Sequence, residues 1–131
     1  MTTLRLILLA VLAALAAPAP GAFAHAILMS SEPEARAALA PGPAAFVLRF
    51  NSRIDRDRSR LTLLHPDRAE TVLPLLAEGP PDTLRARAEG LPPGAYVLRW
   101  QVLAIDGHIT RGELPFTVSG TASGTVAGAG G

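Results

Sequence analysis

Three residues of this chain have the types and spacing to share one metal ion: His25, Asp106 and His108. Asp106 and His108 flank a single glycine, Gly107. In an extended segment, side chains at i and i+2 point the same way, and a glycine between them lets the backbone bend closely. His25 directly follows Ala22-Phe23-Ala24, an Ala-x-Ala site behind an apolar run, which is the pattern a signal peptidase cleaves. A cut after Ala24 makes His25 the first residue of the exported protein. It then carries two nitrogen donors, the freed α-amine and the ring Nδ1, which can close a chelate ring on one ion. The ordinary α-amine pKa is about 7.7–8.0, so a metal displaces only a loosely held proton. With His108 and Asp106 the set is three nitrogens and one oxygen. That set suits tetragonal Cu(II), which leads the Irving–Williams order among divalent ions. Zn(II) can bind the same atoms but prefers a tetrahedral arrangement. Asp-Gly-His alone is a common turn, and its weight here comes from pairing with a histidine at a cleavage site.

Other candidates carry less. His65 sits beside Pro66 in a turn; it reads as a surface residue, with an accessory ligand as the alternative. Met29, the one methionine after position 24, reads as a strand or core residue, since a thioether Cu(I) site needs several soft ligands. Arg53, Asp55, Arg56, Asp57, Arg58 and Arg60 alternate in sign and read as a solvated connection. Glu32 with Glu34, and Asp55 with Asp57, are close in sequence, but nothing places them in a cleft. The chain has no Cys, hence no disulfide and no thiolate donor. The 12 basic side chains are all Arg, interspersed with 11 acidic ones, which argues against a nucleic-acid footprint. There is no Gly-rich phosphate loop and no supported Ser/His/Asp set, so nothing speaks for hydrolytic catalysis.

The elements that must position these residues read as follows. Residues 1–24 have the layout of a secretory signal: Arg5, the apolar run Leu6–Ala17, then Pro18, Pro20 and Gly21 before the cleavage site. That run is short for a membrane span, and no later segment could cross a bilayer. Residues 25–119 show short strands between Pro/Gly turns. Strands are expected at His25–Ser31, Ala44–Asn51, Ser59–Leu64, Glu70–Leu76, Thr83–Ala88, Gly94–Ile105 and Gly112–Val118, with one helical turn within Glu34–Ala40 and a charged crossing at Arg53–Arg60. Phe46, Leu48 and Phe50 alternate onto one face; so do Tyr96, Leu98, Trp100, Val102 and Ala104, and Leu114, Phe116 and Val118. Pro74 suggests an edge strand or bulge. The fold class is all-β, a seven-stranded antiparallel sandwich or Greek-key barrel. Residues 120–131 are Gly, Ala, Ser, Thr and Val and read as a flexible tail.

At this point the residues resemble a family. His25-Ala26-x-Leu28-x-x-Ser31-x-Pro33, the spacing of Pro43, Val47, Leu48 and Phe50, Leu91-Pro92-Pro93-Gly94-x-Tyr96-x-Leu98-x-Trp100, Asp106-Gly107-His108 and Gly112-x-x-x-Phe116-x-Val118 are similar to the CopC family of periplasmic copper-resistance proteins. The resemblance covers essentially all of residues 25–118. It implies a cupredoxin-like or immunoglobulin-like β barrel, a periplasmic location, and a Cu(II) site carried by His25, Asp106 and His108. It also implies action beside an inner-membrane CopD protein, to which some members are fused. Two departures stand out. Leu61–Ala77 contains no Met, so the Met-rich Cu(I) site of some members is not expected. Asn51 and Ser52 stand where some members carry a Glu near the Cu(II) site.

The leading expectation is therefore a monomeric periplasmic Cu(II) carrier or buffer, and not an enzyme. The alternatives are a copper monooxygenase, which also uses an N-terminal His chelate, and a metal-free Ig-like interaction module. Intact-mass spectrometry of the exported protein is expected to place its first residue at His25 and to show one added Cu(II) ion. A different first residue removes the amine donor from the set.

Overall fold

The computed structural model describes residues 2–15 and 25–120. The apolar run begins as a helix, α1, Thr2–Leu15. No helix among the described residues is long and apolar enough to cross a membrane. The Ala22-Phe23-Ala24 site and residues 121–131 of the expected tail lie outside the described residues.

Residues 25–120 form two sheets. In chain order the strands are β1 Leu28–Glu32, β2 Ala38–Leu39, β3 Gly42–Phe50, β4 Ile54–Leu64, β5 Glu70–Leu73, β6 Thr83–Leu91, β7 Gly94–Ala104 and β8 Ile109–Val118. One sheet has the order β1-β3-β6, the other β2-β8-β7-β4-β5. Only the β2–β8 pair is parallel among these; the others are antiparallel. The expected all-β sandwich is what forms, with Greek-key-like connections.

The core lies between the sheets and follows the period-2 pattern of the strands. Phe46, Leu48 and Phe50 of β3 and Leu84, Ala86 and Ala88 of β6 face Leu61 and Leu63 of β4, Leu98 and Val102 of β7, and Leu114 and Phe116 of β8. The few aromatics are spent at the centre. Tyr96 stacks on Phe116 with centroids 5.3 Å apart, and Phe46 tilts against Phe116 at 5.6 Å. Trp100 meets Phe50 edge-on at 5.2 Å. The buried Tyr96 hydroxyl donates to the Pro92 carbonyl at 2.6 Å, so its one polar atom is satisfied.

Three expectations change. The first strand starts at Leu28, not His25, because residues 25–27 are held by side chains described below. Glu34–Ala40 forms no helical turn. Its backbone instead lies along β8 as β2, with Thr117 N donating to Ala37 O at 2.9 Å and Ser119 N to Leu39 O at 2.8 Å; this covers an otherwise open sheet edge. Arg53–Arg60 is mostly strand: β4 begins at Ile54 and the register with β7 shifts between Asp55 and Arg60. Its charges alternate because the side chains lie at or near the surface, and Arg56 donates from Nη1 to Ala77 O at 2.7 Å, clipping the following loop. Met29 lies in β1 but is 62% exposed, so it belongs to the strand and not to the core. Pro74 falls just beyond β5, which is the edge strand of its sheet.

Gly112 lies opposite Trp100 in the β7–β8 ladder, and the indole lies where a Cβ on Gly112 would go. Gly112→Ala is expected to force the ring aside and to lower stability by about 1–3 kcal/mol. Chemical unfolding followed by fluorescence of Trp100, the one tryptophan, measures both effects.

Candidate metal centre

The β7–β8 ladder ends at Leu103 opposite Ile109, and the connection between the strands carries Asp106, Gly107 and His108. The turn is closed by its backbone: Gly107 N donates to Ala104 O at 2.9 Å and Ala104 N to His108 O at 2.8 Å. Gly107 has φ +89°, a left-handed conformation that a glycine adopts without penalty. Asp106 then does what Asp favours in turns and accepts from the backbone two residues on. Its Oδ1 takes the His108 N–H at 3.0 Å, and its Oδ2 lies 2.8 Å from His108 Nδ1. So Asp106 and His108 meet through a hydrogen-bonded turn, not through the extended i, i+2 geometry anticipated from their spacing. When Nδ1 donates its proton to Asp106, a neutral His108 ring keeps its lone pair on Nε2.

His25 arrives from the other end of the chain. Ala26 is 1% exposed, and its carbonyl accepts the Thr110 hydroxyl, from β8, at 2.9 Å. Ile27 N donates to Asn51 Oδ1 at 2.7 Å, and Asn51 N donates back to Ile27 O at 2.9 Å. Asn51 directly follows β3. Residues 26 and 27 are thus held by one side chain from the five-stranded sheet and one from the end of the three-stranded sheet. This places the His25 ring against that of His108, with centroids 4.4 Å apart and an interplanar angle of 63°. One donor atom each from His25, Asp106 and His108 lies within 4.8 Å of the others. These are the three residues singled out by the sequence, and the chain folds them into one cluster. Among the described residues no other set of three His, Cys, Asp or Glu is so arranged.

The cluster is open. The His108 side chain is 61% exposed and that of Asp106 22%. Asp106 is held below its ordinary pKa of 3.8, chiefly by the His108 backbone N–H, then by the hydrogen bond and charge of the His108 ring and the charge of His25; partial desolvation opposes them. A carboxylate beside two imidazoles supplies the donor types that a metal cation takes when the imidazoles are neutral.

His65 does not join it. Its Nε2 pairs with Thr71 Oγ1 at 2.8 Å, and its ring meets Tyr96 edge-on at 5.6 Å. It follows Leu64, which pairs with Val97 near the start of β7, whereas the cluster lies past the end of β7 at Ala104. The separation along the strand is roughly 20 Å, which excludes His65 as an accessory ligand of this cluster. Sequence reading passed over Thr110 altogether and noted Asn51 only for lacking a carboxylate. Neither residue type signals a terminus-holding role; that role exists only once residues 26 and 27 are folded beside them.

The family model of the CopC domain matches residues 28–119. Protein YobA of Escherichia coli K12 is 30% identical over 103 residues, covering 76% of this chain and 82% of YobA. The crystal structure of CopC from Methylosinus trichosporium OB3b superimposes with a TM-score of 0.67 at 29% identity, covering 72% of this chain and 94% of that one. PcoC, a methionine rich copper resistance protein from Escherichia coli, gives 0.60 at 27% identity, covering 72% and 99%.

The Asp106 carboxyl titrates in the folded chain below its ordinary value. Its stabilising effect is therefore complete above the unfolded value and fades as pH falls through the lowered folded value. A carboxyl-detected NMR titration is expected to give Asp106 a midpoint under 3.8, and His108→Ala to move that midpoint upward.

Proposed function

The chain belongs to the CopC family, and from that premise we propose that it is an exported Cu(II) carrier or buffer serving copper resistance or homeostasis. The observation that carries this reading is the convergence of His25, Asp106 and His108, with donor atoms within 4.8 Å of one another. The resistance role is taken from PcoC, a copper resistance protein at 27% identity. Copper is here cargo.

The donor set supports Cu(II). Signal cleavage after Ala24 would add the His25 α-amine to two imidazoles and a carboxylate. Hard, nitrogen-rich donors favour Cu(II) over Cu(I), and no soft ligand supplements them: Met29 is the one methionine after position 24 and points into solvent. Both Asp106 oxygens contact His108, so coordination by the carboxylate has the ion share an oxygen with that residue. The Nδ1 contact aims His108 Nε2, in the manner of carboxylate–imidazole–metal arrangements. An exposed cluster suits loading and unloading better than chemistry in a closed pocket. Release follows reduction or ligand competition at a partner, for which an inner-membrane CopD-like protein is the candidate. A carboxylate in the remaining position argues against oxygen activation, and thus against the monooxygenase alternative.

Competition titration against a chromogenic Cu(II) chelator tests the reading. His25→Ala, His108→Ala, or one extra residue retained before His25 is expected to weaken binding by about a hundredfold or more, roughly 2.7 kcal/mol. Unchanged affinity in all three overturns the site. Cu(II) binding only the folded state should also raise the unfolding temperature with the logarithm of ligand excess.

A further inference from the structure

The three residues of the cluster are not held alike. Asp106 and His108 sit in a turn closed by two backbone hydrogen bonds and by the Asp106 carboxylate, at the end of the continuous β7–β8 ladder. Among the described residues, His25 has no such backbone frame. The hold on its segment begins one residue later, at the Ala26 carbonyl, and that group is held by the Thr110 hydroxyl at 2.9 Å. The next residue, Ile27, is pinned by Asn51 through both its amide and its carbonyl. With the Thr110 bond open, residues 25 and 26 would connect to the sheets through Ile27.

We infer that Thr110 is a positioning residue that latches the segment, so that a bound Cu(II) ion is released when the Thr110–Ala26 bond opens and residues 25 and 26 lift about Ile27 while Asp106 and His108 stay in place. This deepens the reading above and rests on it. The chemistry is ligand exchange, with no change of oxidation state: an incoming donor takes the positions vacated by the His25 nitrogens, and the ion leaves with its charge unchanged. Thr110 is not one of the three cluster residues. It acts through the Ala26 carbonyl, and fixes how often the chelating residue is absent from the cluster. Asn51 sets the floor of the hinge, because its backbone N–H still holds Ile27 O when its side chain is removed.

The fold puts the latch at a telling position. Thr110 lies two residues after His108 on β8, so the strand that presents one imidazole also holds the segment presenting the other. The Ala26 methyl is buried at 1% exposure, which keeps that segment seated once the hydroxyl bond is made. One neutral hydrogen bond of this kind contributes about 0.5–1.5 kcal/mol net, enough to change an opening equilibrium by roughly twofold to tenfold.

Thr110→Val keeps the shape and removes the donor; Thr110→Ser keeps the donor and removes a methyl. Two measurements on the exported protein decide the matter. The first needs no metal: nuclear Overhauser contacts between the His25 and His108 rings are expected in wild type and Thr110→Ser, and to weaken or vanish in Thr110→Val. The second is stopped-flow transfer of Cu(II) to excess EDTA. Its rate is expected to rise roughly threefold to tenfold in Thr110→Val and to stay near wild type in Thr110→Ser, with the copper EPR parameters of fully loaded protein alike in all three. Equal ring contacts and equal transfer rates in Thr110→Val and wild type overturn the latch. So does an altered EPR signature in loaded Thr110→Val, which would mean that the hydroxyl shapes the coordination sphere itself. A wild type that shows the ring contacts but takes up no Cu(II) overturns the carrier reading and leaves the metal-free contact to judge the latch.

Discussion

The β7–β8 ladder is the constraint on which the rest depends. Its pairs run without a register break from Gly94 opposite Val118 to Leu103 opposite Ile109. An unbroken antiparallel ladder fixes the height and direction of the turn at its end. That turn carries Asp106 and His108, and Thr110 follows on the same strand. The ladder is in turn fixed by what it buries: Tyr96, Leu98 and Val102 from β7, and Leu114, Phe116 and Val118 from β8, all face the other sheet. With no cysteine in the chain, packing and main-chain pairing carry the whole burden of holding the site.

The second constraint is that the two ends of the domain must meet. His25 lies more than eighty positions before His108, and no regular strand reaches it, since β1 begins only at Leu28. The sandwich solves this with side chains in place of a ladder. Asn51 continues the β1–β3 pairing by one bridge, offering Oδ1 where a strand would offer a carbonyl. Thr110 supplies the link from the opposite sheet. The terminal segment thus closes one end of the sandwich, and Ala26 is the small apolar side chain that fits there.

Much of this was legible in the sequence. Alternation in β3, β7 and β8 identified both sheets' inward faces, because period-2 apolar runs have few other uses. Trp100 alone of the β7 set is only partly buried, leaning over Gly112 at the margin of the core. The cluster residues were legible too, because an Ala-x-Ala site before His25 gives that histidine a meaning its spacing does not. What escaped was set by tertiary structure. β2 has two residues and exists only because β8 offers it an edge. The start of β4 was hidden by alternating charges, which a strand carries as readily as a loop when its side chains lie at the surface. Asn51 and Thr110 were illegible because their roles depend on a backbone segment distant in sequence.

The proposed carrier role sets two demands, holding an ion selectively and giving it up. A cage of four ligands on rigid strands meets the first and defeats the second. A chelate on a free chain end fails the other way, since the ordering of that end must be supplied at each binding event. The geometry around His25 lies between these limits. Two of the three cluster residues are carried by a closed turn whose carboxyl titrates below its ordinary value. The third is carried by a segment that is ordered by three hydrogen bonds and one buried methyl group, all of them C-terminal to it. On the proposed reading such a site is already assembled when an ion arrives, yet His25 keeps one point of departure, at Ile27.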